Sequence, residues 1–349
     1  MVEHEKYMRR CLDLAALGIG YVSPNPMVGA VVVMDTAIIG EGYHHKYGES
    51  HAEVNAINQV INKFDNSAEL LKQSTLYVSL EPCAHYGKTP PCVDLIIKHK
   101  IPKVVVGCRD PFEAVNGKGI EKLKAAGVEV ITGVLEKECR WLNRRFFTRV
   151  QKHRPYIILK WAQTADGFFA PDDNSQYWIT GPVSRKLVHQ WRSEEDAVLV
   201  GKNTAAIDNP QLNVRYAQGK SPKRIVIDRR LELNKTLNLF DQSVETLVFN
   251  EIKTGIEGKN KYIALEDFDR YVPQYILYQL YLQDIQSVII EGGAYTLNSF
   301  IEAGLWDEAR IFTGTTVLKK GIKAPVITGK ETEGFSSGPD KLNILFNVI

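Results

Sequence analysis

The amino-acid sequence predicts an α/β protein of two domains. Three observations lead to this prediction: helical periodicities alternate with short apolar segments, the 349 residues are enough for two cores, and the strand pattern restarts at Tyr156. A charged segment ends just before that restart, so the boundary is expected near residue 150. The candidate domains are 1–150 and 151–349, and each is expected to contain a layered sheet covered on both faces.

The first half begins with an amphipathic helix expected over 4–18. A short apolar strand at 28–33 can pair with the segment 37–42. Pro91 suits the start of a later helix, because proline is favoured in the first helical turn. The other expected elements are a helix over 50–63, a strand over 75–80, a helix over 91–99, a strand over 103–107, a helix over 119–126, a strand over 128–133 and one charged helix over 136–149.

The second half alternates in the same way. Strands are expected over 156–161, 197–200, 224–228, 246–249 and 287–290, and helices over 184–192, 272–281 and 296–303. A glycine turn at 292–293 follows a strand and precedes a helix, which allows backbone amides to approach a phosphate. A plain tight turn explains the same residues equally well. A second glycine loop is expected at Gly201.

Composition excludes several classes of protein. The chain carries 43 basic and 41 acidic residues, so it has no general nucleic-acid footprint and must hold any anion by local charges. Its five cysteines are irregularly spaced and do not resemble a disulfide framework. No apolar segment approaches the roughly 20 residues of a membrane span, and the first residues lack the apolar core of a signal peptide. These features predict a cytoplasmic protein with reduced thiols.

The most informative pattern combines His51, Glu53, Cys83 and Cys92. One imidazole and two thiolates provide three ligands for zinc and leave one tetrahedral position open, as in catalytic zinc sites. A water at that position has a lowered pKa, and Glu53 lies near enough in sequence to exchange a proton with it. Ser50 is expected to cap the helix and to place His51 in its first turn. A capping box formed by Ser50 and Glu53, with two inert buried thiols, is the structural alternative.

These residues also resemble a known family. His51-Ala52-Glu53 with Pro82-Cys83 and Cys92 is similar to the cytidine deaminase superfamily. The eight residues between the two cysteines resemble the long insert of riboflavin-biosynthesis deaminases. Motifs of the second half, such as Asp208-Asn209-Pro210 and Glu291-Gly292-Gly293, are similar to the reductase fused to those deaminases. The resemblance implies a cytidine-deaminase-like three-layer domain followed by a dihydrofolate-reductase-like domain.

The resemblance also implies functional residues in the deaminase half. Asn25 and His44 match positions that line the pyrimidine pocket, and their mixed donors and acceptors suit a heterocycle. Lys88, within the long insert, is expected to reach the substrate phosphate. Phe112 occupies a position where the family often has asparagine, so that substrate contact is not implied here.

In the reductase half the resemblance implies two groups of residues. The residues expected along NADPH are Gln163, Gln176, Trp178, Thr204, Asp208 and Gly293. The residues expected to hold the phosphoribosyl chain are Lys160, Arg192, Leu212, Arg215 and Glu291. Family members often have serine at the position of Gln176. Arginine suits the phosphate because its planar fork forms two parallel hydrogen bonds.

The implied activity is the deamination of a phosphoribosylated pyrimidine at zinc, followed by NADPH-dependent reduction of the ribosyl side chain. The resemblance further implies a homo-oligomer that binds neither nucleic acid nor membrane. Two other hypotheses remain open at this point. One is a single-function deaminase of nucleic-acid bases with an accessory nucleotide-binding domain. The other is a zinc-stabilised, non-enzymatic protein with a nucleotide-sensing domain.

Overall fold

The computed structural model describes residues 2–86, 90–113, 115–173, 175–331 and 334–348. Contacts within the chain divide it into two units, Met1–His153 and Arg154–Ile349. Among the described residues, no helix combines the length and the apolar character needed to span a membrane.

The first unit contains one mixed sheet. Its strands, in the described part of the unit, are β1 (Gly29–Met34), β2 (Ala37–Tyr43), β3 (Thr75–Leu80), β4 (Lys103–Cys108) and β5 (Glu129–Thr132). They are ordered β2-β1-β3-β4-β5. Strand β1 runs antiparallel to both neighbours, whereas β3, β4 and β5 are parallel. The helices are α1 (Val2–Ala16), α2 (Ala52–Lys63), α3 (Ser67–Leu71), α4 (Cys92–Lys98), α5 (Lys118–Ala125), α6 (Glu136–Leu142) and α7 (Arg144–Lys152).

Both faces of this sheet are covered. Ala30 and Val32 of β1 belong to a core cluster with α2 and α4, whereas Val31 and Val33 belong to a second cluster with α1. This separation follows from the alternation of side chains along a strand. The result is a three-layer unit, as the sequence predicted.

Two local predictions in this unit were wrong. The N-cap of α2 is His51 rather than Ser50, and no side-chain capping bond is formed. The carbonyl oxygen of Ser50 instead lies 3.1 Å from Nδ1 of His44, so the turn before the helix is fixed by a tertiary contact. The charged helix expected over 136–149 is divided into α6 and α7 at Asn143. The buried amide of Asn143 bonds to both the N–H and the carbonyl of Met27, each at 2.8 Å.

The second unit contains a larger sheet. Its strands, in the described part, are β6 (Tyr156–Gln163), β7 (Phe168–Ala170), β8 (Ala197–Gly201), β9 (Lys223–Ile227), β10 (Thr246–Asn250), β11 (Gly255–Glu257), β12 (Asn260–Ala264), β13 (Ser287–Ile290), β14 (Glu308–Thr313), β15 (Ile322–Lys323), β16 (Lys330–Glu331), β17 (Phe335–Ser337) and β18 (Asp340–Phe346). The helices are α8 (Pro182–Glu194), α9 (Lys202–Asp208), α10 (Val272–Leu282) and α11 (Ala294–Glu302), with a short 3-10 helix at Asn238–Phe240.

The main path of this sheet is β11-β12-β10-β9-β8-β13-β6-β14-β18-β16, with β17 paired to β18, and β7 pairs separately with β15. The strands from β12 to β14 along this path are parallel. Alternate residues of β6 enter the two core clusters: Ile157 and Leu159 pack with α10 and α11, and Ile158 packs with α8. The parallel strands of this sheet end at one edge, which is where α/β proteins bind ligands.

Candidate active sites

Three side chains with metal-ligating atoms converge in the first unit. His51 caps α2, Cys83 follows β3 after a short loop, and Cys92 begins α4. Nδ1 of His51 lies 3.6 Å from Sγ of Cys83 and 3.3 Å from Sγ of Cys92. The three ligand atoms all lie within 4.8 Å of one another. Two helix starts and one strand end therefore bring the predicted ligands together.

This spacing fits zinc. Bonds of about 2.3 Å to sulfur and about 2.0–2.1 Å to nitrogen, at the tetrahedral angle, place a nitrogen and a sulfur ligand about 3.5 Å apart. The two observed nitrogen–sulfur distances, 3.6 and 3.3 Å, bracket this value. Two thiolates and one imidazole are ligands that zinc prefers, and three protein ligands leave a fourth position open.

The electrostatics of the cluster favour a positive charge at its centre. Hydrogen bonding from Cys92, and to a smaller extent from His51, lowers the pKa of Cys83 to about 4 although burial opposes the change. The hydrogen bond to Cys83 raises the pKa of His51 to about 9. The lowered pKa favours the thiolate form of Cys83, which is the form that binds zinc, whereas His51 would have to lose its proton to become a ligand.

Glu53 lies next to this cluster as a buried carboxyl group. It is the second residue of α2, two positions after the N-cap His51, and the N-cap forms no side-chain capping bond. Burial raises the pKa of Glu53 above its ordinary value, with the nearby His51 acting in the opposite direction. A carboxyl group with a raised pKa can hold a proton and release it near neutral pH, as general acid–base catalysis requires.

Asn25 and His44 form a polar pair beside the metal ligands. Nδ2 of Asn25 lies 3.1 Å from Nε2 of His44, and the His44 ring meets the His51 ring edge-on at a centroid distance of 5.6 Å. Burial lowers the pKa of His44, which keeps the ring neutral. A neutral ring that donates from Nδ1 to the Ser50 carbonyl presents an acceptor at Nε2.

Of the other two residues that the sequence analysis singled out in this unit, the structure describes Phe112 but not Lys88. Phe112 is 46% exposed, and its ring approaches that of His85 at a centroid distance of 6.1 Å. Phe112 therefore lies beside the segment that follows Cys83. At this position it can offer a substrate an apolar contact, whereas the asparagine often found in the family would offer an amide. Lys88 lies outside the described residues.

A cavity of about 1320 Å³ opens in the second unit. It collects ten of the eleven residues that the family resemblance implied for the reductase: Lys160, Gln176, Trp178, Arg192, Thr204, Asp208, Leu212, Arg215, Glu291 and Gly293. Gln163, at the end of β6, is not among the described lining residues, and its Oε1 accepts a hydrogen bond from Nε1 of Trp161 at 3.1 Å. The size of the cavity suits a dinucleotide together with a small substrate.

A buried ion pair dominates one wall of this cavity. Nε and Nη2 of Arg192 donate to the two carboxylate oxygens of Glu291 at 2.8 and 2.7 Å. Burial opposes ionisation, yet Arg192 and Lys160 lower the pKa of Glu291 to about 2. Burial lowers the pKa of Lys160. One face of the Arg192 fork is therefore occupied by protein, and its remaining Nη1 lies 3.4 Å from the carbonyl of Asn213.

Arg215 is placed differently. Its Nη1 donates to Oε1 of Gln211 and Oδ1 of Asn213, both at 2.6 Å and both uncharged acceptors. Its backbone N–H donates to Nδ1 of His189 at 3.1 Å. Burial lowers the pKa of His189 to about 4, so this ring stays neutral. His189 was not predicted as a site residue, although it lies three residues before Arg192 and such residues share a helix face.

Two glycine turns meet at the carboxyl ends of β8 and β13. Gly201 caps α9 and Gly293 caps α11. A Cβ on the adjacent Gly292 would lie 2.3 Å from Cα of Val200, so the two turns pack backbone against backbone. Gly293 has a φ of 63°, which favours glycine. Both helix starts line the cavity, and the N-terminus of a helix is suited to bind a phosphate group.

Four other predicted cofactor residues line the same cavity. Thr204 and Asp208 belong to α9, and burial raises the pKa of Asp208. Trp178 is 63% exposed, and the guanidinium carbon of Arg185 lies 5.3 Å from its ring centroid. Gln176 lies on the exposed loop before it.

Comparison with known proteins identifies both units. Residues 1–108 match the cytidine and deoxycytidylate deaminase zinc-binding region, and residues 155–339 match the RibD C-terminal domain. The fold and the sites thus define an enzyme that combines a zinc-binding deaminase with a reductase whose fold is that of dihydrofolate reductase.

The similarity extends over nearly the whole chain. The riboflavin biosynthesis protein RibD of Aquifex aeolicus is 42% identical over 322 residues, which cover 91% of this chain and 88% of that protein. The RibD of Escherichia coli is 32% identical, with coverages of 97% and 92%. A solved deaminase/reductase structure from Thermotoga maritima is 38% identical, covers 99% of each chain and has a TM-score of 0.90. The chain belongs to the RibD family of riboflavin biosynthesis proteins.

Proposed function

We propose that this chain catalyses two consecutive reactions on one phosphoribosylated pyrimidine. The domain 1–150 removes the amino group of 2,5-diamino-6-(5-phosphoribosylamino)pyrimidin-4-one, and the domain 151–349 reduces the ribosyl side chain to ribityl with NADPH. The observation that carries the proposal is the convergence of His51, Cys83 and Cys92 beside the buried Glu53. The name of the Thermotoga maritima relative gives the same pair of activities for that protein.

In the deaminase, His51, Cys83 and Cys92 would hold zinc. The bound ion supplies Lewis-acid chemistry, which lowers the pKa of a water at its open position. Glu53 accepts a proton from the attacking water and returns it to the departing amino group, so ammonia leaves as a neutral molecule. Burial raises the pKa of Glu53, which favours the protonated form that would act as the acid in the second half of the reaction.

Asn25 and His44 orient the pyrimidine in this scheme. The amide NH₂ of Asn25 donates to Nε2 of the neutral His44 ring, so the two side chains are held as one polar pair against which the heterocycle would bind. Their position beside His51 places the ring edge of a bound heterocycle next to the zinc ligands. Lys88 stays a predicted contact to the substrate phosphate.

In the reductase, the cavity of the second unit would hold both NADPH and the deaminated pyrimidine. The glycine turns before α9 and α11 line the cavity and would hold a dinucleotide phosphate, because backbone N–H groups at a helix start bind anions. Bound NADPH supplies a hydride for the carbonyl carbon of the open ribose. We assign Gln163, Gln176, Trp178, Thr204, Asp208 and Gly293 to the cofactor.

The substrate side of the cavity contains the charged residues. Arg215 lines the cavity and bonds to the uncharged acceptors of Gln211 and Asn213, and we assign it to the substrate phosphate. Lys160, Arg192 and Glu291 form one buried charge cluster, which presents a fixed set of donors and acceptors to the ribose chain. Leu212, which is buried, supports the same wall.

We further propose a cytoplasmic homo-oligomer that acts on small molecules and binds neither nucleic acid nor membrane. The five cysteines, all in the described part of the chain, are free thiols, which suits a reducing compartment. The match of residues 155–339 to a reductase domain favours this function over a nucleic-acid deaminase with an accessory domain. An assay of ammonia release and NADPH oxidation with both pyrimidine phosphates tests the proposal.

A further inference from the structure

The buried side chain of Glu81 connects the segment that carries Cys83 to a second loop. Glu81 follows β3 directly and lies two residues before Cys83. Its carboxylate accepts four backbone hydrogen bonds, from the N–H groups of Asp110 at 3.3 Å, Gly117 at 2.9 Å, Gly119 at 3.0 Å and Ile120 at 3.2 Å. One carboxylate thus binds the loop after β4 and the first turn of α5 together.

The backbone around Glu81 is held from two other directions. Its N–H donates to the carbonyl of Cys108 at 3.0 Å, which continues the pairing of β3 with β4. A Cβ on Gly119 would lie 2.2 Å from the carbonyl oxygen of Pro82, so the start of α5 packs directly against the peptide that precedes Cys83. The path from β3 to Cys83 therefore depends on contacts with α5.

We propose that Glu81 is a positioning residue for the zinc site, and this inference rests on the proposed function of that site. Glu81 fixes the Pro82–Cys83 backbone against α5 and so keeps Sγ of Cys83 at its distance of 3.6 Å from Nδ1 of His51. Without the carboxylate, buried N–H groups lose their acceptor, and the segment moves to satisfy them. The ligand set then loses part of its preorganisation.

The experiment measures the zinc affinity of the full chain by competition with a chromophoric chelator. Glu81→Gln keeps the size of the side chain but replaces one acceptor oxygen with an NH₂ group. That group is a donor, so it cannot accept the hydrogen bonds of the backbone N–H groups that face it. We expect zinc to bind about 10- to 100-fold more weakly, the range observed when supporting residues of metal ligands are changed. Cobalt substitution gives a second readout, because displacement of Cys83 changes the intensity of the thiolate-to-cobalt absorption band.

Asn143→Ala is the matched control. It removes two buried hydrogen bonds to Met27 in the same unit, but it does not touch the segment of Cys83. This variant should lose thermal stability and keep its zinc affinity within about threefold of the wild type. Equal losses of zinc affinity in both variants would show that Glu81 acts only through general stability and would overturn the inference.

Two further outcomes are decisive. Wild-type zinc affinity in Glu81→Gln contradicts this inference alone, whereas a wild-type chain that binds no zinc contradicts the proposed zinc site as well. If Glu81→Gln does not fold, Glu81→Asp replaces it, because aspartate keeps the charge but withdraws the oxygens by one carbon–carbon bond. Zinc binding by Glu81→Asp should then be weaker than in the wild type, and an unchanged affinity overturns the inference.

Discussion

Arg192 and Glu291 form a bidentate ion pair, with Nε···Oε1 and Nη2···Oε2 distances of 2.8 and 2.7 Å, although they lie 99 positions apart in the chain. Both side chains are about nine-tenths buried. The sequence suggested two separate contacts to the substrate. The structure shows instead that the guanidinium of Arg192 and the carboxylate of Glu291 are hydrogen-bonded to each other. Arg192 therefore cannot offer its whole fork to a phosphate.

Removal of Arg192 should therefore destabilise the protein as well as impair reduction. In Arg192→Ala, Glu291 becomes a buried charge with Lys160 as its remaining nearby cation among the described residues. We expect the free energy of unfolding to fall by about 3–5 kcal/mol, as for other broken buried pairs. Urea unfolding measures this loss. The double variant Arg192→Met/Glu291→Met also takes the carboxylate away from the buried Lys160, so it should recover only part of the loss, and a double variant less stable than the single one would contradict the explanation.

The depressed pKa of Glu291 predicts a dependence of stability on pH. The carboxyl group titrates near 4.5 when unfolded and near 2 when folded, so between these values the unfolded state binds more protons. The stabilisation that Glu291 contributes is fully present above the pKa that this group has in the unfolded state. It is lost as the pH falls through the pKa that the group has in the folded state. In Glu291→Gln the slope of unfolding free energy against pH between about pH 3 and 4.5 should be smaller by up to about 1.4 kcal/mol per unit. Equal slopes in the two proteins would contradict the assigned pKa.

Arg215 should contribute to substrate binding but not to cofactor binding. A charge-assisted hydrogen bond contributes about 1.5–3 kcal/mol, so Arg215→Ala should raise the KM for the pyrimidine phosphate by roughly 10- to 150-fold. Arg229→Ala is the control, because Arg229 also lines the cavity but is paired with Glu251 and Asp269. NADPH binding, followed by fluorescence, should change little in Arg215→Ala. An equal loss for both ligands would instead place Arg215 at the cofactor.

Glu53 should be dispensable for zinc and essential for deamination. Glu53→Gln removes the group that transfers the proton but leaves the three ligands in place. We expect normal zinc content and ammonia release slower by a factor of about 100 or more, the scale of general acid–base catalysis. Metal analysis and an ammonia assay on the same preparation measure both. Near-normal ammonia release would show that Glu53 has only a structural role.

The second unit should fold and act alone. The contacts within the chain separate Arg154–Ile349 from the preceding residues, and the unit has its own two-sided core. A fragment with these bounds should oxidise NADPH with the deaminated pyrimidine and ignore the aminated one. Circular dichroism and an NADPH assay test this expectation. An insoluble or unfolded fragment would show that it depends on the first unit.

Local patterns were sufficient to predict much of the fold. The strands Thr75–Leu80 and Ser287–Ile290 were predicted with their observed bounds, and the pairing of the first two strands is confirmed. These segments are short, apolar and bounded by polar turns, so adjacent residues are enough to predict that they form buried strands. Helix α3, with five residues, was missed because it is too short to show a period. The strands after Ala303 were also missed, since several contain polar or exposed residues.

Contacts between distant parts of the chain explain most of the remaining differences. The break at Asn143 depends on a bond to Met27, which lies 116 positions away. The role of Glu81 depends on N–H groups 29 to 39 positions further along the chain. For the candidate zinc site, the ligand types and their order pointed to the metal, and the structure adds the distances between the ligand atoms. No local pattern encodes the pairing of Arg192 with Glu291, which decides how the reductase cavity is charged.

The most direct test of the account is a paired assay on the full chain and on Glu53→Gln, with ammonia release and NADPH oxidation recorded together. Given the aminated pyrimidine phosphate, the wild type should release ammonia first and then oxidise one NADPH for each ammonia. Glu53→Gln should do neither with that substrate, yet oxidise NADPH at the wild-type rate with the deaminated one. Wild-type oxidation of NADPH without ammonia release, or ammonia release without any oxidation, would contradict the claim that one chain catalyses both reactions in this order.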